Sequence, residues 1–117
     1  MANIAPKAIL AVSLAATPNT DTDFTVTRPL TVLDVSMLAT VSTNGGAGTA
    51  ILKNTASAVS SAIAIATAGD LGRTTSLSLT NRLFAVAGIM RVTVDSGAAG
   101  TCTAIVTFIP TAIPGAL

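Results

Sequence analysis

The chain has 117 residues, of which 50% are apolar and 9% charged, and its formal net charge is +1. That length predicts one domain with its own hydrophobic core. Nucleic-acid binding uses clustered basic side chains and aromatic stacking platforms, whereas the six basic residues here are scattered and all three aromatic residues are Phe. Composition therefore argues against a nucleic-acid partner.

Charged residues are far fewer than the roughly 25% of an average soluble domain. A monomer would expose mostly Thr, Ser, Ala and aliphatic side chains, and such a surface favours association with other chains. We therefore expect a homo-oligomer. The alternative is a monomer covered by Thr and Ser hydroxyls.

The N-terminal residues 8–16 are apolar and follow Lys7, a pattern loosely similar to a signal peptide. Because the apolar stretch is short and has one basic residue before it, we interpret it as a first strand or arm with Leu10, Val12 and Leu14 in phase. No apolar run reaches the roughly 18 residues of a membrane span. The sequence predicts neither a functional signal peptide nor a transmembrane segment.

Residues 17–23 are rich in turn formers and predict a polar loop, followed by a short strand at 24–27. The clearest strand comes next, because apolar residues alternate with polar ones over about ten positions. Its predicted buried face consists of Leu33, Val35, Met37, Ala39 and Val41.

Residues 43–48 contain Asn44-Gly45, the dipeptide most typical of a two-residue hairpin turn. The chain is expected to return through residues 49–53 and to turn again at 54–57. Residues 58–68 suit either a strand or an alanine-rich helix, and the strand is favoured because no N-cap pairing or charged face is present.

Residues 69–72 predict a turn, 73–79 an extended segment, and 80–86 a short helical turn capped by Thr80. The last predicted feature is a β-hairpin in which residues 88–95 and 101–109 flank a turn at 96–100. Ile105 and Ile109 fall on the face of this hairpin that also carries its threonines, so that face is partly apolar.

Seven or eight short strands separated by turn signals are typical of an all-β sandwich or barrel. We predict a single antiparallel β-sandwich domain over residues 1–117, with an N-terminal strand or arm at 1–29. The sandwich core is expected at 30–110 and a C-terminal tail at 111–117.

Catalytic chemistry is not expected, because the sequence contains no His, Glu or Gln. Their absence removes the Ser-His-Asp and Cys-His relays and the His-based zinc sites. The single cysteine, Cys102, lies on an alternating apolar face and is interpreted as a small core residue rather than a reactive thiol. No enzyme activity, cofactor or metal is predicted.

Two sequence features superficially suggest ligands. Asp21-Thr22-Asp23 offers carboxylate oxygens to Ca²⁺ but lacks the dense ligand spacing of a calcium loop, so a solvated loop is favoured. The glycines of residues 45–48 are not followed by a helix pattern, so a hairpin is favoured over a phosphate-binding loop.

Several segments occur in a familiar order: Asp34-Val35, Leu52-Lys53-Asn54, Gly69-Asp70, residues 83–88, Val92-Thr93-Val94, Ser96-Gly97 and residues 103–107. Over about residues 30 to 110 this order resembles the small jelly-roll β-sandwiches of head decoration (cement) proteins of tailed bacteriophages. The chain departs from that pattern at Asn54-Thr55 and at Gly88-Ile89, where the apolar Ile89 suggests a contact surface.

The resemblance implies a structural virion protein that binds the outer surface of a phage head, contacts the major capsid protein and stabilises contacts between capsomers, as a homotrimer or, alternatively, a dimer. Another virion module (a fibre, tail or shell-forming capsid subunit) is the alternative, followed by a bacterial surface adhesion domain. The arm and tail are expected to reach neighbouring subunits. The candidate interface residues are Ile89, Ile105, Ile109 and Ile113.

Overall fold

The computed structural model describes residues 10–16, 21–41, 48–65, 67–95 and 101–110. Within these ranges the chain forms strands and turns and no helix. The strands are β1 (Leu10–Ala16), β2 (Asp21–Thr25), β3 (Leu30–Val41), β4 (Thr49–Asn54), β5 (Ser57–Ala58), β6 (Ile63–Ala64), β7 (Leu71–Arg73), β8 (Leu83–Phe84), β9 (Ile89–Asp95) and β10 (Thr101–Pro110).

The strands form two antiparallel five-stranded sheets. Sheet A has the order β1-β10-β3-β7, with β8 also paired to β3, and sheet B has the order β2-β9-β4-β5, with β6 also paired to β4. Side chains from both sheets belong to one buried apolar cluster. The predicted all-β antiparallel sandwich is therefore confirmed.

The predicted final hairpin is wrong. β9 pairs with β2 and β4 in sheet B, whereas β10 pairs with β1 and β3 in sheet A. The hairpin predicted at Asn44-Gly45 is also wrong, because β3 and β4 lie in different sheets. Turn-forming residues indicate only that the chain reverses direction, and an amphipathic strand can bury its apolar face from either sheet. Both turns, at 43–48 and 96–100, lie largely or wholly outside the described residues.

The longest strand, β3, differs from its predicted pattern at both ends. Val35, Met37 and Ala39 are buried as expected, but Leu33 is 39% and Val41 46% exposed. The register with β10 shifts at both places, because one residue of β3 is skipped in the pairing. The consecutive residues Thr107 and Phe108 pair with Asp34 and Val32. At the other end of β3, Thr101 and Cys102 pair with Val41 and Ala39. An extra residue in one strand of a pair changes which face the following residues occupy, so Leu33 points outward.

The core follows the period-two alternation of the long strands. Met90, Val92 and Val94 of β9 face Cys102, Ala104 and Val106 of β10 across the interior, and all six are buried. The predicted core position of Cys102 is confirmed. Within the N-terminal segment expected to be a strand or arm, the described residues supply β1 and β2 and thus one strand to each sheet.

Three local segments differ in how closely they follow the sequence predictions. Asp21 to Asp23, predicted to lie in a loop, begin β2. The described part of residues 58–68 contains short strands rather than a helix, as favoured. The helical turn predicted at 80–86 lies earlier and is shorter, because the Arg82 N–H bonds to the Ser78 carbonyl (3.1 Å) and β8 begins at Leu83. Its cap is Ser78, whose hydroxyl accepts from the Asn81 N–H (3.1 Å), and not the predicted Thr80.

One side of the sandwich is closed by hydrogen bonds between the sheets. Ser61 lies between β5 and β6 of sheet B, and Thr74 follows β7 of sheet A. The backbone N–H of Ser61 (3.1 Å) and its hydroxyl (3.0 Å) both bond to the Thr74 hydroxyl. The Asn54 side-chain amide donates to the backbone carbonyls of Asn81 (3.0 Å) and Leu83 (3.1 Å). Short strands β5 to β8 lie along this side, which we call the closed side.

Candidate functional site

The acidic residues of β2 are held by an arginine of the neighbouring strand. Asp23 lies opposite Arg91 in the β2–β9 register, and Arg91 donates from Nε to Asp23 Oδ1 (2.8 Å) and from Nη2 to Asp23 Oδ2 (3.0 Å). Arg91 Nε also lies 3.6 Å from Asp21 Oδ2, and the Thr93 hydroxyl donates to Asp21 Oδ1 at 3.0 Å. The guanidinium of Arg91 therefore supplies the positive charge beside both carboxylates.

Hydrogen bonding to Arg91 lowers the pKa of the Asp23 carboxyl, and Asp23 in turn raises the pKa of the Arg91 guanidinium. Such paired geometry favours the charged forms of both groups. The described residues include no group of three or more His, Cys, Asp or Glu side chains placed to hold a metal ion. The carboxylates of Asp21 and Asp23 therefore join β2 to β9.

The single thiol is shielded from reagents. Cys102 is 1% exposed, and burial raises its pKa to about 11. A buried, protonated thiol is a poor nucleophile. Cys102 therefore contributes to packing between the sheets.

The outer surfaces of the two sheets differ in charge. The strands of sheet A carry one acidic and one basic residue, Asp34 and Arg73, which form an ion pair of 2.9 Å. The strands of sheet B carry Asp21, Asp23, Lys53, Arg91 and Asp95. An exposed ion pair such as Asp34–Arg73 contributes at most about 1 kcal/mol, and it leaves the outer surface of sheet A without net charge.

The predicted interface residues fall on two surfaces. Ile105 and Ile109 are half-buried on the outer side of β10, opposite Ser36 and Thr31 of β3. Ile89 lies on β9 in sheet B, opposite Thr25, so it does not join them. Ile113 lies outside the described residues.

Three leucines that are not among the predicted interface residues also lie on the outer side of sheet A. Leu38 points outward on β3 beside Leu71 of β7, and Leu71 is 60% exposed. Leu83 of β8 lies beside Thr31 and is 50% exposed. We call the surface formed by Leu38, Leu71, Leu83, Ile105 and Ile109 the sheet A outer face. The pairing of the short strands β7 and β8 with β3, which brings Leu71 and Leu83 to this face, was not visible in the sequence.

An apolar cleft of about 380 Å³ opens at one end of the sandwich. Phe24 of sheet B and Phe108 of sheet A both line it, and Arg28 is its charged lining residue. The remaining lining residues are Thr27, Pro29, Leu30 and Pro110. It contains no acid, thiol or imidazole for chemistry.

Comparison with protein-family models, with curated proteins and with solved structures found no match to this chain. The described residues also contain no helix that is both long and apolar enough to cross a membrane.

Proposed function

We propose that the protein is a structural component of a virion, a capsid decoration (cement) protein that binds the outer surface of a phage head and stabilises contacts between capsomers. The observation that carries the proposal is the sheet A outer face, a broad sheet surface without net charge and with partly exposed leucine and isoleucine side chains. Apolar surface of this kind favours protein–protein contact.

The strand order supports the jelly-roll part of the proposal. Strands β1 to β4 alternate between sheets A and B, and β9 and β10 also lie in different sheets. In sheet A, β10 lies between β1 and β3. In sheet B, β9 lies between β2 and β4. An eight-stranded jelly roll interleaves its first and last strands in this way, with the short pairs β5/β6 and β7/β8 each counting as one strand.

The experiment is binding of the purified protein to preformed phage heads that lack it. The protein is mixed with heads, the heads are sedimented, and the bound protein is measured over a range of concentrations. We expect saturable binding, and we expect Leu71→Asp to reduce it at least tenfold. Ile51→Asp is the matched control because Ile51 is half-buried on β4 of sheet B.

Each alternative gives a different outcome. A shell-forming subunit would assemble into large particles without heads, and an adhesion domain would bind cells or glycans in the absence of any capsid. If the wild type, Leu71→Asp and Ile51→Asp all bind heads equally well, the role given to the sheet A outer face is contradicted. Failure of all three to bind would contradict the decoration function.

A further inference from the structure

The first strand is an edge of sheet A that lacks the usual protection against pairing. β1 pairs with β10 through all seven of its residues without a register shift. No strand pairs with its other side within the described ranges. Its sequence, LAVSLAA, contains no charged residue, proline or glycine. An unpaired strand edge exposes backbone N–H and C=O groups that can accept a strand from another chain.

The other edges of the two sheets are protected. β5, β6 and β8 have two residues each and β7 has three, and they lie on the closed side. β2 forms the remaining edge and carries Asp21 and Asp23. Very short strands and charged side chains are the common means of preventing edge-to-edge association. β1 has neither.

On the side of the sandwich that contains β1, a side-chain hydrogen bond links β1 to β2. The Thr22 hydroxyl donates to the backbone carbonyl of Ala15 at 3.1 Å, near the C-terminal end of β1. This bond links the strand to β2, and a carbonyl oxygen has a second lone pair for another donor. The edge of β1 therefore remains able to pair.

We propose that β1 pairs with β1 of a second copy of this chain, antiparallel, about a two-fold axis at Ser13. This register places Ser13 opposite Ser13, Ala11 opposite Ala15, and Val12 opposite Leu14. Residues directly opposite in an antiparallel pair point to the same face of the sheet, so exposed residues meet exposed ones and core-facing residues meet core-facing ones.

Side-chain size and burial agree with this register. Ala11, Ser13 and Ala15 are exposed, small and uncharged, so these three side chains do not obstruct a second copy of β1. On the inner face, Leu14 is 9% exposed and Val12 is half-buried against the core. Pairing covers the remaining surface of Val12 with Leu14 of the second copy.

The pairing joins the two A sheets into one continuous sheet whose outer faces point to the same side. Because the same strand supplies both partners, the contact is isologous and closes with two copies. It predicts a dimer, the alternative to the homotrimer that the sequence resemblance favours. It concerns the free protein in solution and does not depend on the proposed function.

Disulfide crosslinking tests the register. In Ser13→Cys the two new thiols face each other across the axis, at the spacing of directly opposite strand residues, and the native Cys102 is buried. Under mild oxidation we expect a covalent dimer on a non-reducing denaturing gel. Ala64→Cys, at an exposed position on the edge strand β6, is the matched control and should stay monomeric.

A mixing experiment distinguishes this register from any other. Ala11→Cys and Ala15→Cys should each remain largely uncrosslinked alone and should form a covalent dimer when mixed. Light scattering should give twice the protomer mass for the wild type and for Ala64→Lys. It should give a single protomer mass for Ser13→Lys at micromolar concentration. A monomeric or trimeric wild type, or a Ser13→Cys protein that does not crosslink, would overturn the proposal.

Discussion

Val35 of β3 and Val106 of β10 lie directly opposite each other in sheet A, and both side chains have 0% exposed surface. β3 and β10 are the longest strands of the sandwich. The two valines point into the interior beside Met37 and Ala104, so this pair lies at the centre of the core.

We expect Val35→Asp and Val106→Asp each to prevent folding. A buried carboxylate without a partner costs on the order of 3–5 kcal/mol or more, in addition to the lost apolar contact, and small domains are stable by about 5–15 kcal/mol. Circular dichroism and thermal unfolding measure the effect. Val86→Asp is the control, because Val86 is 58% exposed and its substitution should leave the fold intact. Native-like spectra from both core variants would contradict the facing assignment.

Ile105→Asp and Ile109→Asp should leave the fold intact and weaken assembly. Both side chains are half-buried on the sheet A outer face, and substitutions on an open strand face change stability by about 1 kcal/mol. Thermal unfolding should therefore show a small shift, and binding to heads should fall as it does for Leu71→Asp. A large loss of thermal stability in either variant would show that the residue supports the fold instead.

Because of the Asp23–Arg91 ion pair, we expect the stability of the fold to depend on pH in the acidic range. Arg91 lowers the pKa of the Asp23 carboxyl in the folded protein, so the unfolded chain binds that proton more readily. The stabilisation is complete above the unfolded pKa of about 3.9 and is lost as pH falls through the folded pKa. We expect the melting temperature of the wild type to fall more steeply below pH 5 than that of Asp23→Asn.

Asp70→Asn is the matched control for this experiment. Asp70 is exposed and forms no ion pair with another described residue, so its amide variant should retain the steep acid slope of the wild type. Equal slopes for Asp23→Asn and the wild type would show that the pair does not contribute.

Gly72 permits the close approach of the two sheets on the closed side. A Cβ atom at this position would lie 2.6 Å from Ile63 Cγ2, well inside van der Waals contact. We expect Gly72→Ala to destabilise the protein by about 1–3 kcal/mol, as overpacking does in other cores. Denaturant unfolding measures the change.

A double-mutant cycle isolates the cause. In an Ile63→Ala background the Cγ2 atom is gone, so Gly72→Ala should cost much less there than in the wild type. An equal cost in both backgrounds would assign the effect to the backbone of β7 rather than to the contact with Ile63.

The all-β class and most of the core could be predicted from the sequence. Alternation of apolar and polar residues is a local property of a strand, and it correctly identified the buried residues Met37, Met90, Val92, Cys102 and Val106. The absence of His, Glu and Gln was equally direct. The outward position of Ile105 also followed from alternation.

The pairing of the strands could not be predicted from the sequence. β9 and β10 follow one another in the chain, yet they lie in opposite sheets, because each buries its apolar face equally well from either side of the core. The outward position of Leu33 depends on a register shift against β10, and the neighbours of Leu38 depend on the distant strand β7. Pairing between strands far apart in sequence depends on how the sheets pack, and no local pattern of residues carries that information.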